Sequence, residues 1–208
     1  MARPFLTDEA KRALTEAVRA VEAASSAELV VAVRERSGSY LHADLLAALV
    51  AGFATLGVLL YSPWGFSLIW FLIDPLLAGL AAGLLSMRIG AIRRAFTSPA
   101  NRRARVLAAA RATFVEKRVH TTAGRTGVLL YVSLLERDAA LVVDIGVETL
   151  ARSEAWHRAE AAVLDAVRRG EDGAGVAREL AGLEAVLAPA LARSAADVDE
   201  LANEVCEP

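Results

Sequence analysis

The 208-residue chain contains a single cysteine, Cys206, and only three histidines. One thiol excludes an internal disulfide and any paired-cysteine motif, and it is typical of a reducing compartment. The formal net charge of -2 argues against a nucleic-acid-binding protein, because such proteins carry a basic face. The amino-terminal segment is charged throughout and lacks the apolar core of a signal peptide. We therefore expect a protein of a reducing compartment with no nucleic-acid partner.

Charge is also scarce between Leu45 and Met87, where Asp74 is the only charged residue. Two apolar segments, Leu45–Tyr61 and Phe66–Met87, lie on either side of a short turn that contains Pro63. A bilayer core about 30 Å thick requires roughly 20 apolar helical residues. A buried helix of a soluble domain rarely stays apolar on every face over such a length. The pattern predicts a transmembrane helical hairpin over residues 42–90, with the lipid bilayer as its first partner.

Basic residues lie on both outer flanks of this hairpin and are absent from its turn. Because the Lys/Arg bias of short loops sets topology, we expect an integral protein of the cell inner membrane with two spans and both termini cytoplasmic. Anionic lipid headgroups suit the same basic residues. These are Arg34 and Arg36 before the first span, and Arg88, Arg93, Arg94, Arg102, Arg103 and Arg105 after the second.

Outside the hairpin, amphipathic helical patterns alternate with apolar strand patterns. Because a helix separates the first two predicted strands, these strands should be parallel, and the third should return antiparallel after a tight turn. The predicted fold class is α/β, a small mixed β-sheet flanked by helices, with the transmembrane hairpin inserted. Residues 1–41 and 91–195 would form one discontinuous soluble domain, and 196–208 a flexible acidic tail. The predicted helices are Thr7–Ala24, Pro99–Arg118, Ser153–Arg168 and Val176–Arg193, and the strands are Glu28–Val33, Gly127–Leu134 and Ala139–Ile145.

Several of these segments resemble the TPM domain. The stretch from Val119 to Arg137 contains a GVLL strand and a charged turn with an arginine, and Leu141–Glu148 follows as a strand that ends in Asp before a glycine. Ser26–Val33 is similar to the first strand of the family, and Gly170–Gly175 to the loop that precedes its last helix. The family includes thylakoid-lumen proteins of photosystem II repair and many bacterial membrane proteins. The chain looks closest to the bacterial branch, and the resemblance implies a TPM-like fold for the soluble part.

Acidic residues near the predicted strand ends are candidates for a metal site. Carboxylates grouped there could hold a hard cation such as Ca²⁺ or Mg²⁺, and some TPM proteins are described as metal-binding or as weak acid phosphatases. The candidate ligands are Asp144, Glu148 and Asp172. The alternative interpretation is solvated turn carboxylates, with Asp144 as a strand-end cap or ion-pair partner, because no Asp-x-Asp pair, histidine cluster or metal-ligand spacing occurs. On that interpretation no cofactor is required.

Three residues of the hairpin are candidates for contacts within the membrane. An ionised Asp74 inside the second span would cost at least about 2.5 kcal/mol, which indicates a proton or partner contact. The alternative is a shallow position at the outer interface, as a helix cap before Pro75. Gly79 and Gly83 are spaced to let helix backbones approach closely. That approach would occur either within the hairpin or between copies in a homo-oligomer.

Three functions are compatible with these features. The favoured hypothesis is a non-catalytic, membrane-tethered interaction module for the assembly or maintenance of a membrane complex, with a membrane protein as partner. It rests on the lack of a recognisable nucleophile, general base or metal cluster in the sequence. One alternative is a metal-dependent hydrolase of the phosphatase type. The other is an accessory subunit of a multi-span transporter, in which Asp74 would be essential.

Overall fold

The computed structural model describes residues 5–193, so the predicted acidic tail and Cys206 lie outside the described residues. The described chain divides into two compact units. We call residues 5–37 and 103–193 the sheet unit, and residues 38–102 the hairpin unit. In chain order the helices are α1 (Asp8–Ala24), α2 (Leu41–Tyr61), α3 (Trp70–Arg88), α4 (Gly90–Ala95), α5 (Pro99–Glu116), α6 (Ile145–Ala151), α7 (Glu154–Arg169) and α8 (Gly173–Ala190), and the strands are β1 (Glu28–Arg34), β2 (Gly127–Ser133) and β3 (Asp138–Val143).

The sheet unit contains one mixed sheet of three strands in the order β1-β2-β3. β1 runs parallel to β2, with Glu28 opposite Gly127, and β2 runs antiparallel to β3, with Ser133 opposite Asp138. The predicted mixed α/β sheet and both strand pairings are confirmed. The parallel pair follows from the helical connection between its strands, since two adjacent parallel strands need a crossover.

Both faces of the central strand are covered, which explains its uninterrupted apolar sequence. Val128, Leu130 and Val132 belong to a core with side chains of α1, α7 and α8. Leu129 and Tyr131 belong to a second core, to which α5 contributes Phe114 and two smaller side chains. Alternate residues of a strand point to opposite faces, so β2 contributes to both cores.

The hairpin unit is built on α2 and α3, of 21 and 19 residues. At 1.5 Å per residue these helices are about 31 and 28 Å long, close to the hydrocarbon thickness of a bilayer of about 30 Å. In the most apolar 18-residue stretch of each helix, only 22% is buried in α2 and 11% in α3. A core helix of a soluble protein would be mostly buried, and neither of these two helices is. The chain therefore has two helices that are long and apolar enough to cross a membrane.

Several boundaries differ from the sequence prediction. The second apolar helix begins at Trp70 rather than Phe66, because residues 66–69 still belong to the connection between the spans. β3 ends at Val143, two residues early, because the side chain of Asp144 accepts a hydrogen bond from the amide of Ile145 and starts α6, a helix that was not predicted. α8 begins at Gly173 rather than Val176, because Asp172 caps it through the amide of Gly175.

Candidate functional site

A buried ion pair lies at the end of the hairpin unit where the chain enters and leaves the two apolar helices. Asp44, in the first turn of α2, accepts hydrogen bonds from Arg93 of α4 at both carboxylate oxygens, Nε to Oδ1 at 2.9 Å and Nη2 to Oδ2 at 2.7 Å. The hydroxyl of Ser86, near the end of α3, donates to Oδ1 at 2.8 Å. All three residues are buried. The bidentate geometry is the strongest form of an arginine–carboxylate contact.

This ion pair connects the start of α2, the end of α3 and the short helix α4. Arg93 and Asp44 are separated by 49 residues of sequence, so no local spacing pattern could reveal the contact. Sequence reasoning missed Asp44 because it placed the first span after this residue, and it assigned Arg93 to membrane topology and lipid headgroups. The signal available in the sequence was an acidic residue just before the first apolar segment, together with arginines just after the second one. We call Asp44, Ser86 and Arg93 the hairpin latch.

The predicted contact glycines lie where α3 approaches α2. A Cβ atom added at Gly79 would lie 2.9 Å from the carbonyl oxygen of Ala48, and one added at Gly83 would lie 3.4 Å from the Cβ atom of Ala48. Real Cβ atoms essentially never come as close to a backbone atom as the first distance. The structure thus uses both glycines for close packing inside the hairpin. Their predicted role in a contact with another protein stays a prediction.

Asp74, the third predicted contact residue of the membrane segment, lies in the first half of α3. The helix begins at Trp70, with Ile69 at the N-cap position, so Asp74 lies one turn inside it and does not cap it. Pro75 follows within the helix, where it leaves a carbonyl of the preceding turn without its usual amide partner. Asp74 is half-buried. The predicted cap role of Asp74 is therefore wrong, and its depth in a membrane stays a prediction.

The three predicted metal ligands each have a partner of another kind. Asp144 caps α6 and forms an ion pair with Arg125, Nε to Oδ2 at 2.9 Å. Glu148 of α6 pairs with Arg152, the first residue after that helix, at 2.5 Å. Asp172 caps α8 by accepting a hydrogen bond from the amide of Gly175 at 3.0 Å. Between residues 5 and 193, no group of three or more His, Cys, Asp or Glu residues is arranged to hold a metal ion. A Ca²⁺ or Mg²⁺ site therefore stays a prediction.

Asp138, a further acidic residue at a strand end, links β3 to two helices. Arg103 of α5 donates to its carboxylate at 3.1 Å and also to the carbonyl of Ala139. Arg168 of α7 reaches the other carboxylate oxygen at 3.2 Å. Because the Asp138 side chain is only 11% exposed, these two arginines neutralise a carboxylate that would otherwise be costly to bury.

A chain of hydroxyl groups ends on a buried carboxylate next to the β2–β3 turn. Ser37 donates from its hydroxyl to the hydroxyl of Ser133 at 2.7 Å, and Ser133 donates to Glu136. The amide of Ser37 donates to the other Glu136 oxygen at 2.9 Å, and the Tyr131 hydroxyl lies 3.1 Å from that of Ser37. Burial raises the pKa of the Tyr131 phenol above its usual range. The network anchors the last residue of the chain before the hairpin unit.

A cleft of about 710 Å³ lies in the sheet unit, beside the β2–β3 turn and the start of α8. Arg137 and Arg178 line it together with Glu171 and Glu179. Glu171 already accepts two hydrogen bonds from Arg169, at 3.0 and 2.8 Å, and lies 3.6 Å from Arg178. The acidic and basic side chains of the cleft therefore largely balance one another. We take the hairpin latch, whose three members are all buried, as the most distinctive polar cluster of the described residues.

Comparison with known proteins bears on the fold. No family model matches the chain, and no curated protein matches it. A similar solved structure is the NMR structure of the BA42 protein from the psychrophilic bacterium Bizionia argentinensis. It aligns with a TM-score of 0.60 and 16% sequence identity, over 100% of this chain and 99% of that chain. At this identity the likeness concerns the fold alone, so the chain shares its overall fold with that bacterial protein.

Proposed function

We propose that this chain is a membrane-tethered, non-catalytic module with a TPM-like soluble domain, and that it assists the assembly or maintenance of a membrane complex. The observation that carries the proposal is the exposed apolar surface of α2 and α3. In the most apolar 18-residue stretch of each helix, only 22% is buried in α2 and 11% in α3. Burial of apolar surface is worth roughly 25 cal/mol per Å². Such helices are stable in lipid or against another membrane protein, and they would not stay dispersed in water.

The polar groups of the sheet unit support the non-catalytic part of the proposal. The carboxylates of Asp138, Asp144 and Asp172 each contact an arginine or a helix amide. The hydroxyl of Ser133 is fully buried and donates to Glu136, so it is not positioned to attack a substrate. Groups that are held in this way stabilise the fold of the sheet unit, which we propose recognises its partner through its surface. That partner would be another protein of the membrane.

The charge distribution predicts which side of the membrane each segment faces. The turn region between α2 and α3 carries exposed aromatic residues, Tyr61, Trp64 and Trp70, and no basic residue, whereas arginines follow α3. We expect both termini on the cytoplasmic side. A membrane-impermeant maleimide added to intact spheroplasts should therefore leave Cys206 unlabelled and react with it after lysis.

The matched variant for this experiment moves the single thiol to the turn. In a Cys206→Ser, Ser62→Cys chain, we expect the reagent to label intact spheroplasts. Labelling of Cys206 from outside, or protection of the cysteine at position 62, would reverse the proposed orientation. Extraction with sodium carbonate on the same membranes tests insertion itself, since a peripheral protein would be released.

The proposed interaction role predicts specific membrane partners. We expect affinity purification of the full chain in a mild detergent to retain a small, reproducible set of membrane proteins. The control chain keeps the sheet unit and replaces residues 45–87 by an unrelated two-span hairpin. Partners that stay with the control are recognised by the sheet unit, as the proposal requires. Partners lost with the native hairpin would favour the transporter-subunit alternative, and an Asp74→Asn variant would then test the acid itself. If neither chain retains a specific partner, the module proposal fails.

A further inference from the structure

One end of the sheet unit brings together the starts of β1 and β2 and the segment that follows α8. Glu28 lies opposite Gly127 at the start of the parallel pair. The amide of Ser26 donates a hydrogen bond to the carbonyl of Leu191 at 2.8 Å, and the hydroxyl of Thr126 donates to the carbonyl of Ser26 at 2.6 Å. The chain after α8 therefore lies directly beside the loop that precedes β2.

The exposed charged side chains at this end are mostly cationic. Lys117 and Arg118 follow α5 and are exposed, and Arg125 precedes β2 with 52% of its side chain exposed. Between residues 111 and 125, Glu116 is the only acidic residue. Three further carboxylates of this end are buried, namely Glu22, Glu28 and Asp144. Asp144 pairs with Arg125, whereas neither Lys117 nor Arg118 forms an ion pair within residues 5–193.

Exposed apolar side chains lie beside these cations. Among the described residues of the sheet unit, Val115 and Ile145 are the only exposed large apolar side chains, at 62% and 67%. The amide of Arg118 donates to the carbonyl of Val115 at 3.0 Å, and the amide of Gly146 donates to the carbonyl of Arg125 at 2.9 Å. Each exposed apolar residue is therefore close in the backbone to one of the arginines. We call Val115, Lys117, Arg118, Arg125 and Ile145 the basic end.

We propose that the basic end binds the acidic tail of the same chain, residues 196–208. The tail contains no lysine or arginine and five acidic residues, which are Asp197, Asp199, Glu200, Glu204 and Glu207. Its larger apolar residues are interspersed with these acids, at Val198, Leu201 and Val205. The carboxylates complement the unpaired charges of Lys117 and Arg118, and the apolar residues complement Val115 and Ile145.

The position of the last described residue favours this occupant over a separate molecule. The side chain of Arg193 donates to the carbonyl of Glu22 at 3.0 Å, so the tail follows a residue that is fixed at the same end of the sheet unit. At about 3.3 Å per residue, a segment of this length can extend over about 40 Å. A tethered segment has an effective concentration in the millimolar range. Ion pairs that are individually weak can therefore hold it to the surface of its own chain.

The single cysteine of the chain, Cys206, makes the tail accessible to a site-specific test. Full-length protein in detergent carries a benzophenone maleimide on Cys206, and peptide mass spectrometry locates the cross-links that form on illumination. We expect them at residues 111–126 and 144–148. The double variant Lys117→Glu, Arg118→Glu should lower their yield about fivefold, the upper end of the effect of an exposed ion pair. About 1 M sodium chloride should also lower it, because the Debye length falls to about 3 Å.

A charge exchange separates this contact from a general loss of structure. Adding Glu200→Lys and Glu204→Lys to the variant with acidic residues at 117 and 118 should restore most of the yield. The matched control is Arg12→Glu, Arg137→Glu, which changes two exposed arginines outside the basic end by the same charge and should leave the yield unchanged.

Three results would overturn the proposal. They are cross-links spread over the whole sheet unit, an equal loss of yield in the control, and failure of the charge exchange to restore it. A mixture of isotope-labelled and unlabelled protein identifies the occupant, since cross-links between the two forms would assign the basic end to the tail of a second copy and would contradict binding within one chain. The experiment requires no membrane partner, so its failure is distinguishable from a failure of the proposed function.

Discussion

Replacing Asp44 by asparagine should make the segment after α3 at least about 100-fold more sensitive to trypsin. The substitution leaves Arg93 buried with no carboxylate in the latch, and the loss of one partner of a buried ion pair costs about 3–5 kcal/mol. The latch holds α4 through Arg93 and the end of α3 through Ser86. When it opens, the peptide bonds after Arg88 and Arg94 become accessible. Cleavage of a transiently open state follows its equilibrium population, so mass spectrometry of the fragments over time reports the opening directly.

Two variants make this prediction specific to the ion pair. Asp74→Asn removes the other carboxylate of the hairpin unit, and we expect wild-type cleavage rates at Arg88 and Arg94. The double variant Asp44→Leu, Arg93→Leu removes both charges, and it should restore much of the resistance at Arg88, since an apolar pair avoids the cost of an unpaired buried charge. If Asp44→Asn is cleaved at the wild-type rate, or if the double variant is as sensitive as the single one, the latch does not hold this end together.

Replacing Gly127 by alanine should lower the free energy of unfolding of the sheet unit by about 3 kcal/mol, at the upper end of the range for overpacking. Gly127 begins β2 in the GVLL segment, and a Cβ atom there would overlap the carbonyl oxygen of Val119. That oxygen belongs to the backbone, so the strand itself would have to move. Movement of β2 would disturb its pairing with both β1 and β3.

The measurement uses Trp156, which is buried in the core of the sheet unit. In a Trp64→Phe, Trp70→Phe background it is the only tryptophan, so its emission during urea unfolding reports on that unit. Gly182→Ala is the matched control. Its added Cβ would lie 3.5 Å from that of Ala159, an ordinary contact, and alanine in a helix is favoured over glycine by about 0.5–1 kcal/mol. Equal urea midpoints for the Gly127 variant and the wild type would contradict the prediction, because they would show that the backbone of residues 119–127 can move to accept the added Cβ atom without a loss of stability.

The elements that could be predicted from sequence are those whose signal is local. α2 and α3 are apolar on all faces, so their existence was clear, although the start of α3 was placed four residues early. The parallel pairing of β1 with β2 followed from an intervening helix. The short helix α6 was missed because Asp144 was interpreted as the end of a strand. Its carboxylate instead caps the next helix through Ile145, and this choice depends on a single side-chain hydrogen bond.

The candidate site was harder to predict because its contacts are distant in sequence. Asp44 and Arg93 each look ordinary in isolation, one at the edge of an apolar run and one in a row of arginines. Only the antiparallel packing of α2 against α3 brings them together, with Ser86 as the third member. By contrast, the acidic residues Asp144, Glu148 and Asp172 were conspicuous in the sequence, and each is close to a local amide or arginine.

The register of the sheet has a consequence for how this protein is made. β1 pairs in parallel with β2, with Glu28 opposite Gly127. The ribosome therefore synthesises about 100 further residues after Glu28 before its pairing partner exists. At 5–20 residues per second, this delay is about 5–20 s. During that time β1, buried on nearly every residue in the folded protein, has no strand to pair with, while the two apolar helices emerge. An unpaired apolar strand is prone to aggregate. Early capture of the hairpin by the membrane would hold the nascent chain apart from its neighbours until β2 arrives.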